Sequence, residues 1–187
     1  MTDIPDYLQD ARVLLSKDGF AIGNVWYHGT SSALIDSIKE KGLKRSGDDA
    51  IRQAAKSTMA KIGNSYTETR EPVFLTQSKE LAYYWAQQTV RRRAARFEGK
   101  ETPVVLAVKL PEEQLSKVKP DVGAASLLMV KEGEEFMLYL ASVYQSCGAG
   151  ELDIDLMKAD RMDYLNKLGM AYFDKDIDAK HLEVLPS

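Results

Sequence analysis

Short apolar runs and capped amphipathic stretches alternate along this chain without a steady strand–helix–strand rhythm, and that irregularity narrows the available folds most. A doubly wound sheet needs parallel strands, each pair spanned by a crossover helix. Here the clearest strand candidate, residues 104–110 (VVLAVKL), is followed by Pro111 and a single helical turn. Two further apolar runs, 73–76 and 20–27, are short and bounded by Pro72 and by the Gly23-Asn24 turn signal. The expected class is therefore α+β, with short antiparallel strands and flanking helices. At 187 residues the chain is expected to form one domain over 1–187. Its 44% hydrophobic and 28% charged content is that of a globular protein.

Local signals place the elements. Leu8, Ala11, Leu14 and Leu15 recur with helical spacing after Pro5, and the helix is expected to end near Gly19. Residues 20–27 read as a strand pair or irregular strand, with His28-Gly29-Thr30 as the following turn. Ser31 or Ser32 then caps a helix carrying Leu34, Ile35 and Ile38, and Gly42 stands at its left-handed C-terminal cap. A weak helix is expected over 51–62, broken by Gly63-Asn64. Ser78 caps a long helix over 79–97, with Leu81, Ala82, Trp85, Ala86 and Val90 at the 3.6-residue period. Residues 127–130 read as a strand, 134–145 and 155–168 as helices, and 171–173 and 181–185 as closing strands.

Composition excludes several function classes. Lys and Arg number 25 against 28 Asp and Glu, so a generally basic nucleic-acid coat is excluded, though a local basic patch is not. One cysteine, Cys147, cannot form an internal disulfide, and a reducing compartment is expected. Two histidines and one cysteine are too few for a structural zinc site, and no metal is expected. The first residues lack the basic-then-apolar order of a signal peptide, and no apolar run approaches roughly 20 residues, the length of a bilayer span. The expectation is a cytoplasmic protein without a membrane partner.

Glycine-rich nucleotide loops, metalloprotease helices, nucleophile elbows and paired cysteines are all missing from the sequence. Cys147 has no neighbouring His and reads as a small buried thiol; His181 reads as a strand-edge residue. His28 remains. Tyr27-His28-Gly29-Thr30 runs into SSALIDSIKEKGL, and PVFLTQSKELAYYWA follows some way downstream. This order resembles the ADP-ribosyltransferase superfamily of the poly(ADP-ribose) polymerase and diphtheria-toxin type. The resemblance covers 25–110 and, more loosely, the closing AYFDKDIDAKHLEVL.

The resemblance implies a split, mainly antiparallel sheet and NAD as substrate. It implies that His28 bonds ribose hydroxyls and that Gly29 offers its backbone N–H and C=O to the nicotinamide carboxamide. Thr30 is counted with the cofactor-binding residues, supporting the turn or beginning the helix beside them. Phe74 and Tyr84 are the expected nicotinamide-stacking rings, with Tyr84 preferred to Tyr83 on the Ala82-Tyr83-Tyr84 pattern. Leu81 replaces a hydroxyl found in some relatives. The late-strand glutamate of many members is replaced, best by Met170, and Asp174, Glu151 and Glu135 are the candidate substitutes. The implied activity is mono-ADP-ribosyl transfer from NAD to a macromolecule, a glycosyltransferase reaction with protein expected over nucleic acid as acceptor. Two alternatives stay open: a catalytically silent NAD-pocket module, and an RNA 2′-phosphotransferase-like enzyme. Toxin or effector use is equally open. Arg91, Arg92, Arg93 and Arg96 are read either as complements to the helix C-terminus or as phosphate contacts.

Overall fold

The computed structural model describes residues 4–63, 65 and 70–186. The N-terminal segment carries α1 (Ala11–Leu14) and a hairpin of β1 (Leu15–Ser16) and β2 (Gly19–Phe20). Then come β3 (Trp26–Ser31), α2 (Ile35–Lys41), α3 (Asp49–Lys61), β4 (Val73–Leu75) and α4 (Lys79–Ala94). They are followed by β5 (Pro103–Val108), α5 (Glu112–Leu115), β6 (Val118–Pro120) and α6 (Ala124–Leu128). The chain closes with α7 (Lys131–Ser146), α8 (Arg161–Asn166), β7 (Ala171–Phe173) and β8 (Leu182–Val184). The architecture is α+β. One antiparallel sheet has the order β3-β5-β8, a second has β4-β7-β6, and a single bridge, Tyr27 with Thr76, joins them.

Helix α4 lies along one face of the first sheet. Its N-terminus is capped twice: Ser78 accepts from Leu81 N–H, and Asp10, from the far N-terminal segment, accepts from Lys79 N–H at 2.8 Å and Glu80 N–H at 3.2 Å. Each such cap contributes about 1 kcal/mol, so the N-terminal segment is tied to the start of α4. Ala82, Tyr83 and Val105 pack between helix and sheet. On the opposite face of α4, Leu81 and Tyr84 meet Phe136, Tyr139 and Leu140 of α7. A second core lies on the other face of the first sheet, where Trp26, Val104, Leu106 and Val108 meet Val73, Leu75, Ala171 and Phe173.

Several local expectations are corrected by tertiary contacts. His28-Gly29-Thr30 is not a turn: all three residues lie inside β3, held in register by β5. Residues 127–130 are not a strand, because Leu128 is drawn into the α7 core at the end of α6. The strand β6 is instead formed by Val118–Pro120, whose sequence carries no period-2 signal and which borrows its pairing from β7. The N-terminal helix shrinks to a 3-10 turn and α1, and the chain reverses at 15–20 into the hairpin. Gly42 has φ of 77° at the end of α2, as its position suggested. Gly63 follows α3 at φ of 76°; Asn64 lies outside the described residues.

Candidate functional site

The site forms where the two sheets part. Each residue of an antiparallel strand turns both main-chain groups to one side, and sides alternate. Lys109 N–H bonds the His181 carbonyl at 2.8 Å and Leu185 N–H bonds the Val105 carbonyl at 3.0 Å, so odd-numbered β5 residues face β8 and even-numbered ones face β3. Gly29 lies opposite Val105. Its N–H and C=O therefore point away from β5, toward β4, as those of Tyr27 do. Tyr27 exchanges both bonds with Thr76, at 2.8 and 3.0 Å. The next pair in that register would be Gly29 with Phe74.

That pair is not made. The His28 Nδ1 stands 2.8 Å from the Phe74 carbonyl and takes it in place of the Gly29 amide. Among the described residues, Gly29 N–H, Gly29 C=O and Phe74 N–H have no main-chain partner across the split. Because a carbonyl only accepts, His28 Nδ1 carries the proton and Nε2 keeps its lone pair. Burial lowers the His28 pKa below its ordinary value, outweighing the Phe74 carbonyl that favours the charged form. The imidazole is neutral at pH 7, with a free acceptor nitrogen.

Gly29 has a different structural reason from the one the sequence suggested. A Cβ there would meet not a ligand but α4, at 1.9 Å from the Ala82 carbonyl oxygen and 2.6 Å from the Ala86 nitrogen. The glycine lets the helix lie on the strand; its main-chain groups, in the plane of the sheet, face the split. Thr30 is a buried strand residue opposite Val104, on the His28 face, with 2% of its surface exposed. It does not line the split.

The helix aromatics are distributed differently from the expectation. Tyr84 is 2% exposed and buried against α7, stacked on Tyr139 at 4.5 Å and 16°. The helix is covered on two faces, and Tyr84 lies on the one that meets α7. Tyr83 packs with Leu8 and Val105 on the sheet side. Trp85 is the one residue between Leu81 and Gln87 that is not buried. A Cβ on Gly169, which precedes β7, would meet Leu81 Cδ1 at 2.4 Å and Thr76 Oγ1 at 3.3 Å, so Leu81 marks the side of α4 that faces the second sheet. Trp85, one turn further along α4, lays its ring against Phe136 of α7 at 4.8 Å and 32° and against Tyr84 at 5.2 Å, so it belongs to the α7 side of the helix.

Phe74 is 46% exposed. Its cross-strand partner is Tyr172, whose own partner on the next strand is Lys119. Directly paired residues share a face, so these three form a row continuing from the split on the side where α4 covers the first sheet.

No carboxylate occupies the late-strand position. Met170 is buried at 7% among apolar neighbours. Asp174 is ion-paired with Arg45 at 2.9 Å, Glu135 with Arg91 at 3.8 Å, and Glu151 is exposed. The sequence reading missed Asp121, the only buried carboxylate among the described residues. Its N–H bonds the Met170 carbonyl at 3.0 Å, and burial raises its pKa. It escaped notice because β6 itself did.

Arg93 is withdrawn from any ligand. It is 6% exposed, bonds Glu101 through Nε at 2.7 Å and Asp48 through Nη1, and lies over the Phe97 ring. Glu101 also accepts from Ser31, and Asp48 caps α3. The cluster ties α3, α4 and the end of β3 together. Among the described residues there is no group of three potential metal ligands and no helix long and apolar enough to cross a membrane. No family model matches the chain, and comparison with curated proteins and with solved structures returns no match.

Proposed function

We propose that the chain is an NAD-dependent mono-ADP-ribosyltransferase acting at the split between β3 and β4. The observation that carries this reading is the unmade Gly29–Phe74 pair. It leaves one N–H and one C=O on the same residue, side by side on an open strand edge. A primary carboxamide presents the complementary pair, an acceptor oxygen and donor N–H groups, and the nicotinamide end of NAD carries such a group.

The residues at the split fit the rest of that substrate. Phe74, 46% exposed on the open edge, offers a ring that suits stacking by a flat heteroaromatic ring. The His28 Nε2 lone pair accepts from a ribose hydroxyl while the Phe74 carbonyl holds the ring in orientation. A neutral imidazole is also what the chemistry calls for, since cleavage of the nicotinamide–ribose bond builds positive charge on the sugar and a cation beside it would oppose that. NAD itself supplies the leaving group and the ADP-ribosyl unit. The chain's part is to grip the carboxamide at Gly29 and to fix the ribose at His28.

The test is calorimetric titration of the protein with NAD, together with nicotinamide release in the presence of cell extract. Binding and release that are lost in His28→Ala at unchanged fold support the reading; no detectable binding by the wild type overturns it. Met170 in place of a late-strand carboxylate favours a second reading, a module that binds NAD without turnover. Binding with no nicotinamide release in any extract decides for that alternative.

A further inference from the structure

The row Phe74–Tyr172–Lys119 leads away from the split into an open groove of about 390 Å³ lined by Pro120, Val122, Gly123, Arg161 and Tyr172. Its composition differs from that of an ordinary surface hollow. Tyr172 is half-buried and lines the groove, Phe74 beside it is 46% exposed, and Val122 is 43% exposed. The formal charges contributed by the row and the lining residues are Lys119 and Arg161, both exposed. Neither makes an ion pair among the described residues. The nearest acids in sequence are engaged: Asp160 and Asp163 form the capping box of α8, and Asp121 is buried.

We propose that this groove binds single-stranded nucleic acid, the ring of Tyr172 taking a base and Lys119 and Arg161 taking the phosphates on either side of it. Aromatic platforms alternating with cations are the physical pattern of such sites, because every base has a face to stack and every linkage an anion to neutralise. An acidic peptide would use the two cations and leave the Tyr172 ring unused, so the ring favours the nucleic acid. The chain is acidic overall, with a net charge of -3. Binding must therefore come from this local patch rather than from a general field. The proposal rests on the transferase reading in one respect: adjacent strands are about 4.8 Å apart, so a strand laid on Tyr172 would lie beside the Phe74 platform and serve as the acceptor.

The experiment is fluorescence anisotropy of labelled twelve-nucleotide oligo-dT and oligo-U, without NAD, at low and moderate salt, with labelled poly-glutamate as competitor class. The wild type is expected to bind an oligonucleotide, more weakly as salt rises, and Tyr172→Ala to weaken binding about tenfold. Lys119→Glu with Arg161→Glu, at exposed positions that leave the fold intact, should abolish binding. No binding to either oligonucleotide, equal binding by the charge-reversed variant, or a preference for poly-glutamate overturns the proposal. NAD titration of the same variants separates the two readings. Intact NAD binding with no oligonucleotide binding refutes the groove alone, while oligonucleotide binding without NAD binding refutes the transferase reading alone.

Discussion

Replacing Gly29 by alanine adds a single methyl group, and the structure states where it must go. The new Cβ would lie 1.9 Å from the Ala82 carbonyl oxygen, against an ordinary contact distance beginning at 3.4 Å, a shortfall of 1.5 Å. Both near neighbours, Ala82 O and Ala86 N, are main-chain atoms inside α4, so no side-chain rotation relieves the overlap. The helix must lift from β3, and it is held down by the Asp10 cap at one end and the Arg93 cluster at the other. Overpacking in a core costs about 1–3 kcal/mol when side chains can adjust. Here they cannot, so the expected loss is at the top of that range, about 3 kcal/mol. For a chain of this size that is a fall in Tm of about 6–12 °C. Gly23→Ala is the matched control, because its Cβ would find only Gln77 Oε1 at 4.0 Å. Thermal and urea unfolding of the two variants, followed by circular dichroism, measures the difference. If Gly29→Ala melts within about 2 °C of the control, the close packing of α4 on β3 is wrong.

Three other outcomes are expected. Tyr84→Ala should cost about 3–5 kcal/mol of stability by opening a cavity against α7, whereas Phe74→Ala, at a 46% exposed position, should weaken NAD binding about two- to tenfold with a smaller loss of stability; chemical denaturation and titration calorimetry distinguish them, and the reverse pattern would restore Tyr84 to the site. Because burial lowers the His28 pKa in the folded protein, the unfolded chain takes up that proton first, so stability should hold above about pH 6.5 and decline below it; NAD affinity should fall in the same direction as Nε2 is protonated, and His28→Gln should flatten the decline in unfolding free energy between pH 7 and pH 5. Arg93→Met removes the cation shared by Asp48 and Glu101 and should cost about 3 kcal/mol by urea unfolding, whereas exposed Arg92→Met should stay within about 0.5 kcal/mol.

Much of the fold follows from local chemistry that can be read along the chain. The Ser78 cap, the glycine at 42, the apolar run that became β5 and the short strands at 73–75, 171–173 and 182–184 each carry their own signal. Each can be placed from its own few residues, although the strands are held only by distant partners, β4 by β7 and β8 by β5. His28, Gly29 and Phe74 could also be singled out from the order of residues around them. What could not be read is how faces are shared. Tyr84 and Trp85 are neighbours with the same helical period available to both, and only the arrival of α7 on α4 decides that Tyr84 is fully buried while Trp85, packed on Phe136, keeps part of its surface open. Gly29 looks like a turn residue until β5 pairs with it and α4 lies across it. Lys119 lies on, and Asp121 directly after, a strand whose pairing partner is β7, some fifty residues away, so no local pattern marks them. The physical reason is the same in each case. Caps, turns and periodicity are set by interactions within a few residues, but the open strand edge and the exposed ring are whatever remains after distant elements have covered the rest.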